Sequence, residues 1–208
     1  MCVVFVVKVS QTTMESGFGS KPHILMLLAD DFGWANVGFH QHDDGTPGSR
    51  QARAEVHTPN IDALALGGVI LDRHYAFKIC SPSRSSFQSG RLAVHVNTGN
   101  TGVTSQNPAD SVSGFAGIPV NMTGLGAKMK AGGYRTSMVG KWDAGMATPV
   151  HTPRGRGYDS WMGYYQHAND YWTKGMGSIY KPTTTGEIDV CLNKLTDFSG
   201  FNPNLTLF

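Results

Sequence analysis

The segment Cys80-Ser81-Pro82-Ser83-Arg84, followed by Ser89-Gly90-Arg91, is the stretch from which the fold and chemistry of this chain can be inferred. We expect a helix to begin here, because Ser81 can serve as an N-cap and Pro82 suits the first helical turn. The dipole of such a helix would favour an anion beside Cys80. A single cysteine is otherwise most simply interpreted as a small buried thiol in a turn, so the surrounding segments decide between the two interpretations.

Three apolar segments predict strands, and polar residues follow each of them. The segments are residues 22–29, 69–77 and 134–139. The continuous apolar run in the first segment is typical of a strand buried on both faces of a parallel sheet. The polar residues that follow are Asp30 and Asp31, then Cys80, then Lys141. Because open α/β sheets bind ligands beyond the carboxyl ends of their strands, we expect these side chains to converge on one site.

Helix signals alternate with the predicted strands, which favours an α/β fold. Thr58-Pro59-Asn60 opens one helix and Thr123 is predicted to cap another, and a Gly-Gly pair closes each. Residues 97–119 are rich in Gly, Ser, Asn and Thr, which predicts a long loop. From Asp159 onward the aromatic residues follow no helix or strand period.

The pattern Cys-x-Pro-x-Arg with Gly-Arg downstream resembles the signature of the type I (formylglycine-dependent) sulfatases. Two further motifs resemble that family, Ala29-Asp30-Asp31 after the first predicted strand and Gly140-Lys141-Trp142 after the third. Residues 152–159, with Ala168-Asn169-Asp170-Tyr171 after them, look like the matching segment of arylsulfatase B-like members. The resemblance implies an alkaline phosphatase-like sheet flanked by helices, the N-terminal part of a sulfatase catalytic domain.

The resemblance also implies a reaction, the hydrolysis of sulfate esters. In the family the cysteine matching Cys80 is oxidised to formylglycine by a formylglycine-generating enzyme, and the aldehyde hydrates to a gem-diol. One hydroxyl attacks the sulfur and the alcohol leaves, after which the second hydroxyl collapses to the aldehyde and expels sulfate. A serine would lack the second oxygen that this release step needs.

Asp30 and Asp31 are adjacent carboxylates, which repel each other unless a cation holds them. In isolation the pair is also typical of a solvated turn. The family motif that they match binds a hard divalent ion, so the resemblance implies a metal site of Asp30, Asp31 and the residue at position 80. Ca²⁺ is the first expectation and Mg²⁺ the alternative, because both take oxygen ligands and would polarise a sulfate oxygen.

Three further residues are assigned to the site by resemblance. The arginine matching Arg84 contacts formylglycine, and the lysine matching Lys141 binds the sulfate. Asp143 stands where better-known members have histidine, a proposed base for sulfate release. An aspartate could accept the same proton, although its negative charge opposes sulfate binding unless Arg84, Lys141 or the metal compensates. Ser89, where many members have threonine, is expected to be a minor difference.

The expected domain organisation is a lead segment, residues 1–20, followed by the sulfatase N-terminal domain, residues 21–208. The domain is expected to be truncated, since the family's Asp-Asn metal ligands have no counterpart after Lys141. Two alternatives therefore stay open. One is a non-catalytic protein that binds anionic or sulfated glycans, and the other is a phosphoesterase of the same superfamily.

Composition excludes some classes of partner. The formal net charge of the 208 residues is only +2 and the cationic residues are scattered, which argues against nucleic-acid binding. The apolar run near the N-terminus is too short for a membrane span or a clear signal peptide. The sequence does not decide whether Cys2 and Cys191 form a disulfide bond. Family resemblance implies a lysosomal or extracellular protein, and Asn121 and Asn204 begin glycosylation sequons.

Overall fold

The computed structural model describes residues 3–9, 21–42, 44–99, 112, 117–146, 148–165 and 196–197. The chain forms two compact units, residues 1–76 and 77–208, and each is described by itself below. No helix in the described ranges combines the length and the apolar character that crossing a lipid bilayer requires.

Two antiparallel strands form the sheet of the first unit. They are β1 (Val3–Val9) and β2 (His23–Ala29). The prediction of a strand before Asp30 is confirmed, but the prediction that it is buried in a parallel sheet is wrong here. Its neighbour runs in the opposite direction, and Leu25 and Leu27 are 49% and 45% exposed, because no described element packs over them.

The remaining elements of this unit are helical. Two short 3₁₀ turns, Trp34–Asn36 and Gly38–His40, precede α1 (Pro47–Glu55) and α2 (Pro59–Leu66). The predicted helix after Thr58 is therefore confirmed. Its threonine hydroxyl accepts a hydrogen bond from the Gly38 backbone N–H at 2.8 Å and donates one to Asp62 at 2.9 Å. Thr58 is the N-cap residue of α2, and its side chain ties the second 3₁₀ turn to the helix instead of making a capping hydrogen bond.

Residues 69–77 do not form the strand that the sequence predicts. A turn interrupts them, in which the His74 backbone N–H donates to the Leu71 carbonyl at 3.3 Å. A strand exists only where a neighbour accepts and donates its backbone hydrogen bonds, and no described residue does this here. Apolar side chains that predict the strand instead lie on the surface, and Val69 is 86% exposed.

The second unit contains two helices that the sequence predicts. They are α3 (Cys80–Ser89) and α4 (Leu125–Ala131), and the short 3₁₀ turn Ala93–His95 follows α3. Gly90 ends α3 with a φ of 67°, a left-handed conformation that glycine adopts without strain. Both predicted N-caps are wrong, because Ile79 caps α3 and Gly124 caps α4, neither with a side-chain hydrogen bond.

A parallel strand pair lies at the centre of this unit. It joins β3 (Ser137–Lys141) to β4 (Ser160–Tyr164), and β5 (Thr196–Asp197) pairs antiparallel with β4. A short 3₁₀ turn, Pro149–His151, lies on the connection between β3 and β4. The core at this sheet consists of Ile118, Trp142, Ala144 and Trp161. The predicted third strand is thus confirmed, and β4 occupies a stretch in which the sequence indicated no element.

Asp159 connects the starts of the two parallel strands. Its carboxylate accepts hydrogen bonds from the Thr136 backbone N–H at 2.9 Å and from Lys130 Nζ at 2.6 Å. The Asp159 backbone N–H donates in return to Thr136 Oγ1 at 3.1 Å. The hydrogen bond from Lys130, followed by that from the Thr136 backbone, lowers the pKa of Asp159 from 3.8 to about 2.

Replacing this carboxylate should destabilise the protein in a pH-dependent way. A folded-state pKa below the unfolded value stabilises the fold above the unfolded pKa, and that stabilisation disappears as the pH falls through the folded pKa. We expect Asp159→Asn to unfold at a lower temperature at neutral pH, and the difference from wild type to vanish between pH 3.8 and about 2. Thermal unfolding followed by circular dichroism checks this.

The matched control is Asp72→Asn, at an exposed aspartate of the first unit. It should leave the unfolding temperature nearly unchanged at every pH. A pH-independent effect of Asp159→Asn would contradict the electrostatic explanation.

Candidate active site

The first turn of α3 places the signature segment in the protein interior. Cys80 is the first residue of the helix and is partly buried, whereas Ser81, Ser83 and Arg84 are 1%, 5% and 6% exposed. The hydroxyl of Ser83 lies 2.7 Å from the Ile79 carbonyl oxygen and 2.8 Å from that of Phe77. The Ser83 side chain therefore connects α3 to the residues that directly precede the helix.

The residues after β3 continue the pairing with β4 beyond the strand itself. The Trp142 and Asp143 backbone N–H groups donate to the Tyr164 and Tyr165 carbonyls at 2.9 and 3.0 Å. Asp143 adopts a φ of 50°, in the left-handed region that aspartate enters more readily than most residues. This backbone conformation, held by the β4 pairing, determines where the Asp143 carboxylate points.

Trp142 anchors this turn. Its side chain is 1% exposed, and its Nε1–H donates to the Gly145 carbonyl at 2.7 Å and lies 3.1 Å from the His151 carbonyl oxygen. His151 is also fully buried, with its ring nitrogens 2.8 Å from Thr148 Oγ1 and 3.3 Å from the Val112 carbonyl oxygen. Burial lowers the pKa of His151 from 6.5, which favours a neutral structural imidazole.

A guanidinium links the helix to the strand. Arg84 Nη1 donates to the backbone carbonyl of Lys141 at 2.6 Å. Both residues are buried, at 6% and 7% exposed, so water does not compete for the contact. The predicted site residues Arg84 and Lys141, which are 57 positions apart, are thus brought together.

Both carboxylate oxygens of Asp143 make polar contacts. Its Oδ1 accepts a hydrogen bond from Ser81 Oγ at 2.9 Å, and its Oδ2 lies 3.7 Å from Lys141 Nζ. The Asp143 side chain is 2% exposed and that of Lys141 is 5% exposed. The Asp143 carboxylate therefore offsets the Lys141 charge, as buried charges require a partner.

The structure of the second unit thus contains four of the predicted site residues, Cys80, Arg84, Lys141 and Asp143. Lys141 contacts two of them directly, while Cys80 is the chain neighbour of Ser81. Ser81 was predicted only as a helix cap. Its contact with Asp143 joins positions 62 apart, for which the sequence carries no local signal.

Asp30 and Asp31 lie in the first unit, directly after β2. Both are exposed. Asp31 has a φ of 48°, so this turn, like the turn after β3, contains an aspartate in the left-handed conformation. Two adjacent, accessible carboxylates offer the oxygen ligands that Ca²⁺ and Mg²⁺ prefer. This donor chemistry fits the expected cation. Grouping these residues with Cys80 stays a prediction, because it joins residues of separate units.

Aromatic residues at and after Tyr158 contribute to packing in the part of the chain that the structure describes. Trp161 is 2% exposed in the core, and the Tyr158 hydroxyl donates to Gln88 of α3 at 2.8 Å. Burial raises the pKa of Tyr158. Tyr171 and Trp172 lie outside the described residues, as do Cys2 and Cys191.

Comparison with known proteins identifies a family and several relatives of this chain. A family profile described as Sulfatase matches residues 22–203. Mouse arylsulfatase J is 35% identical over 74% of this chain, and dog arylsulfatase G is 36% identical over 72%. Human N-acetylgalactosamine-6-sulfatase is 35% identical over 71%.

The matches cover 23%, 24% and 26% of these relatives, so the chain spans about a quarter of their length. A solved structure titled "Crystal structure of Ps i-CgsB" has a TM-score of 0.46 and 25% identity, over 68% of this chain and 28% of that one. The family profile covers most of the sequence, including all the predicted site residues. The chain therefore belongs to the sulfatase family and has its α/β, alkaline phosphatase-like fold.

Proposed function

We propose that this chain is the N-terminal part of a sulfuric ester hydrolase of the arylsulfatase type, with residues 21–208 in its catalytic domain and residues 1–20 as a lead segment. The observation that carries the proposal is the contact between the signature helix and the end of β3, through Arg84 and Lys141. Family membership supports the sulfatase reaction over that of a phosphoesterase.

The proposed nucleophile is a formylglycine made from Cys80. Its position as the first residue of α3 supports this role, because the helix N-terminus favours the negative charge that develops there. Oxidation requires a formylglycine-generating enzyme as a partner. One hydroxyl of the hydrated aldehyde attacks sulfur, the S–O bond to the alcohol breaks, and the sulfate stays attached to position 80.

Arg84, on the same helix as the proposed nucleophile, and Lys141, at the end of β3, supply positive charge. Asp143 offsets part of it, which leaves this cluster with two cationic side chains and one carboxylate. A net positive cluster of buried groups suits an anionic sulfate ester. In the proposal, Asp143 accepts the proton of the second hydroxyl during sulfate release, the role proposed for the histidine of better-known members.

Asp30 and Asp31 would hold a divalent cation, Ca²⁺ or alternatively Mg²⁺. Such an ion, when bound, supplies positive charge that polarises a sulfate oxygen. The substrate class is an aryl sulfate or a sulfated carbohydrate, in keeping with the names of the arylsulfatase and N-acetylgalactosamine-6-sulfatase relatives. We place the protein in the secretory pathway, lysosomal or extracellular, as the family resemblance implies.

The identity of residue 80 tests the proposal directly. In the purified natural protein, peptide mass spectrometry should detect a loss of about 18 mass units at Cys80, the difference between cysteine and formylglycine. Hydrolysis of 4-nitrophenyl sulfate should accompany it and be abolished by Cys80→Ala.

Cys80→Ser sharpens this test, because a serine can be sulfated but has no second oxygen for release. We expect a gain of about 80 mass units at position 80 after incubation with substrate, without turnover. An unmodified Cys80 in a protein that binds sulfated glycans without hydrolysing them would instead select the non-catalytic alternative.

The proposed role of Asp143 makes a separate prediction. Asp143→Asn removes the proton acceptor but keeps the size of the side chain, so release should slow by about 100-fold and sulfated enzyme should accumulate. Rapid-quench mass spectrometry measures that accumulation. Asp72→Asn is the charge-matched control and should turn over normally. Wild-type turnover of Asp143→Asn would contradict a base role for this carboxylate.

A further inference from the structure

We propose that Ser81 is a positioning residue for sulfate release, which it serves by orienting the Asp143 carboxylate through the Ser81 Oγ–H to Asp143 Oδ1 hydrogen bond. This inference rests on the proposed function, in which Asp143 is the proton acceptor. It assigns a role to a residue of the signature segment that the family pattern leaves variable, since Ser81 is the first x of Cys-x-Pro-x-Arg.

The contact is directional and protected from water. Its length is 2.9 Å, and Ser81 and Asp143 are 1% and 3% exposed. A buried carboxylate oxygen that loses its donor cannot take a water molecule in its place without rearrangement, so the hydrogen bond selects one orientation of the carboxyl group. Hydrogen bonds to an ionised acceptor are also stronger than those between neutral groups.

Three constraints contribute to the position of the Asp143 carboxylate. The backbone is held in the left-handed region at a φ of 50°, and Oδ1 is bound by Ser81. The second oxygen, Oδ2, faces Lys141 Nζ at 3.7 Å, a distance longer than a hydrogen bond. Without the Ser81 hydroxyl, attraction between opposite charges would draw the carboxylate closer to Lys141 and away from this orientation.

The release step shows why this orientation matters. Asp143 takes the proton from the free hydroxyl of the sulfated hydrate, and the electron pair of that O–H bond forms the aldehyde C=O. The C–O bond to sulfate breaks, and sulfate leaves with its electron pair. Ser81 keeps its own proton throughout, so it acts only through the position of Asp143.

The experiment compares Ser81→Ala with Ser85→Ala in the natural protein. Ser85 is the matched control, because its buried hydroxyl lies on the same helix and has no hydrogen-bond partner among the described residues. Both substitutions keep the Cys-x-Pro-x-Arg pattern, and peptide mass spectrometry first verifies formylglycine at position 80. Activity is then measured with 4-nitrophenyl sulfate.

We expect Ser81→Ala to lower kcat by about tenfold and KM by a similar factor, because only release is slowed. The ratio kcat/KM reports sulfate transfer and should stay near the wild-type value, while sulfated enzyme accumulates on rapid quench. Ser85→Ala should leave kcat, KM and the amount of sulfated enzyme unchanged. A lost packing contact would instead lower kcat/KM or the unfolding temperature without any accumulation.

A double-mutant cycle completes the test. If Ser81 acts through Asp143, Ser81→Ala should have no further effect on kcat in the Asp143→Asn background. An unchanged kcat in Ser81→Ala, or additive effects of the two substitutions, would overturn the positioning role and leave the proposed function intact. A wild-type protein without sulfate ester hydrolysis would overturn the proposed function and this assignment with it.

Discussion

The hydrogen bond from Arg84 to the Lys141 carbonyl is the contact on which the arrangement of the candidate site depends. It joins the first turn of α3 to the end of β3, and both residues are almost fully buried. A guanidinium in such surroundings must find acceptors within the protein, because water is not available to it. Movement of the helix that begins at Cys80 along the strand end would therefore break this buried, charge-assisted hydrogen bond.

The parallel strand pair supplies the second half of this arrangement. Pairing with β4 continues past Lys141, and it holds Asp143 in a left-handed conformation that an isolated turn would rarely adopt. The buried indole of Trp142 anchors the same turn from the core side. Asp143, the residue of the proposed proton transfer, thus has a strained backbone, and the pairing with β4 and the packing of Trp142 stabilise it in that conformation.

An aspartate at position 143 changes the charge balance of the cluster. Family members with histidine at this position place a less negative group there, whereas this chain places a carboxylate next to Lys141. The negative charge of Asp143 weakens the attraction between the cluster and an anionic substrate. The same carboxylate pairs with the buried Lys141 ammonium and accepts a hydrogen bond from Ser81. In the proposed site, a carboxylate held by Ser81 and Lys141 would therefore accept the proton that the family resemblance assigns to a histidine.

Much of the fold could be predicted from local sequence. The helix after Thr58, the helix that contains Pro82, the helix that ends before Gly132 and the strand leading to Lys141 follow from prolines, glycines and apolar residues in the local sequence. The incorrect predictions concern strand pairing, exposure and two helix N-caps. Residues 69–77 have the composition of a strand, but strand formation needs a neighbour that composition does not specify.

The amino-acid sequence by itself determined the family and the residue types of the site, because the motifs around Asp30, Cys80 and Lys141 are local patterns. Only the tertiary structure decided that Ser81 faces Asp143 and that β4 pairs beside β3. The physical reason is that these contacts join residues separated by tens of positions. Their geometry depends on how buried groups find partners once the chain has folded, which no local pattern encodes.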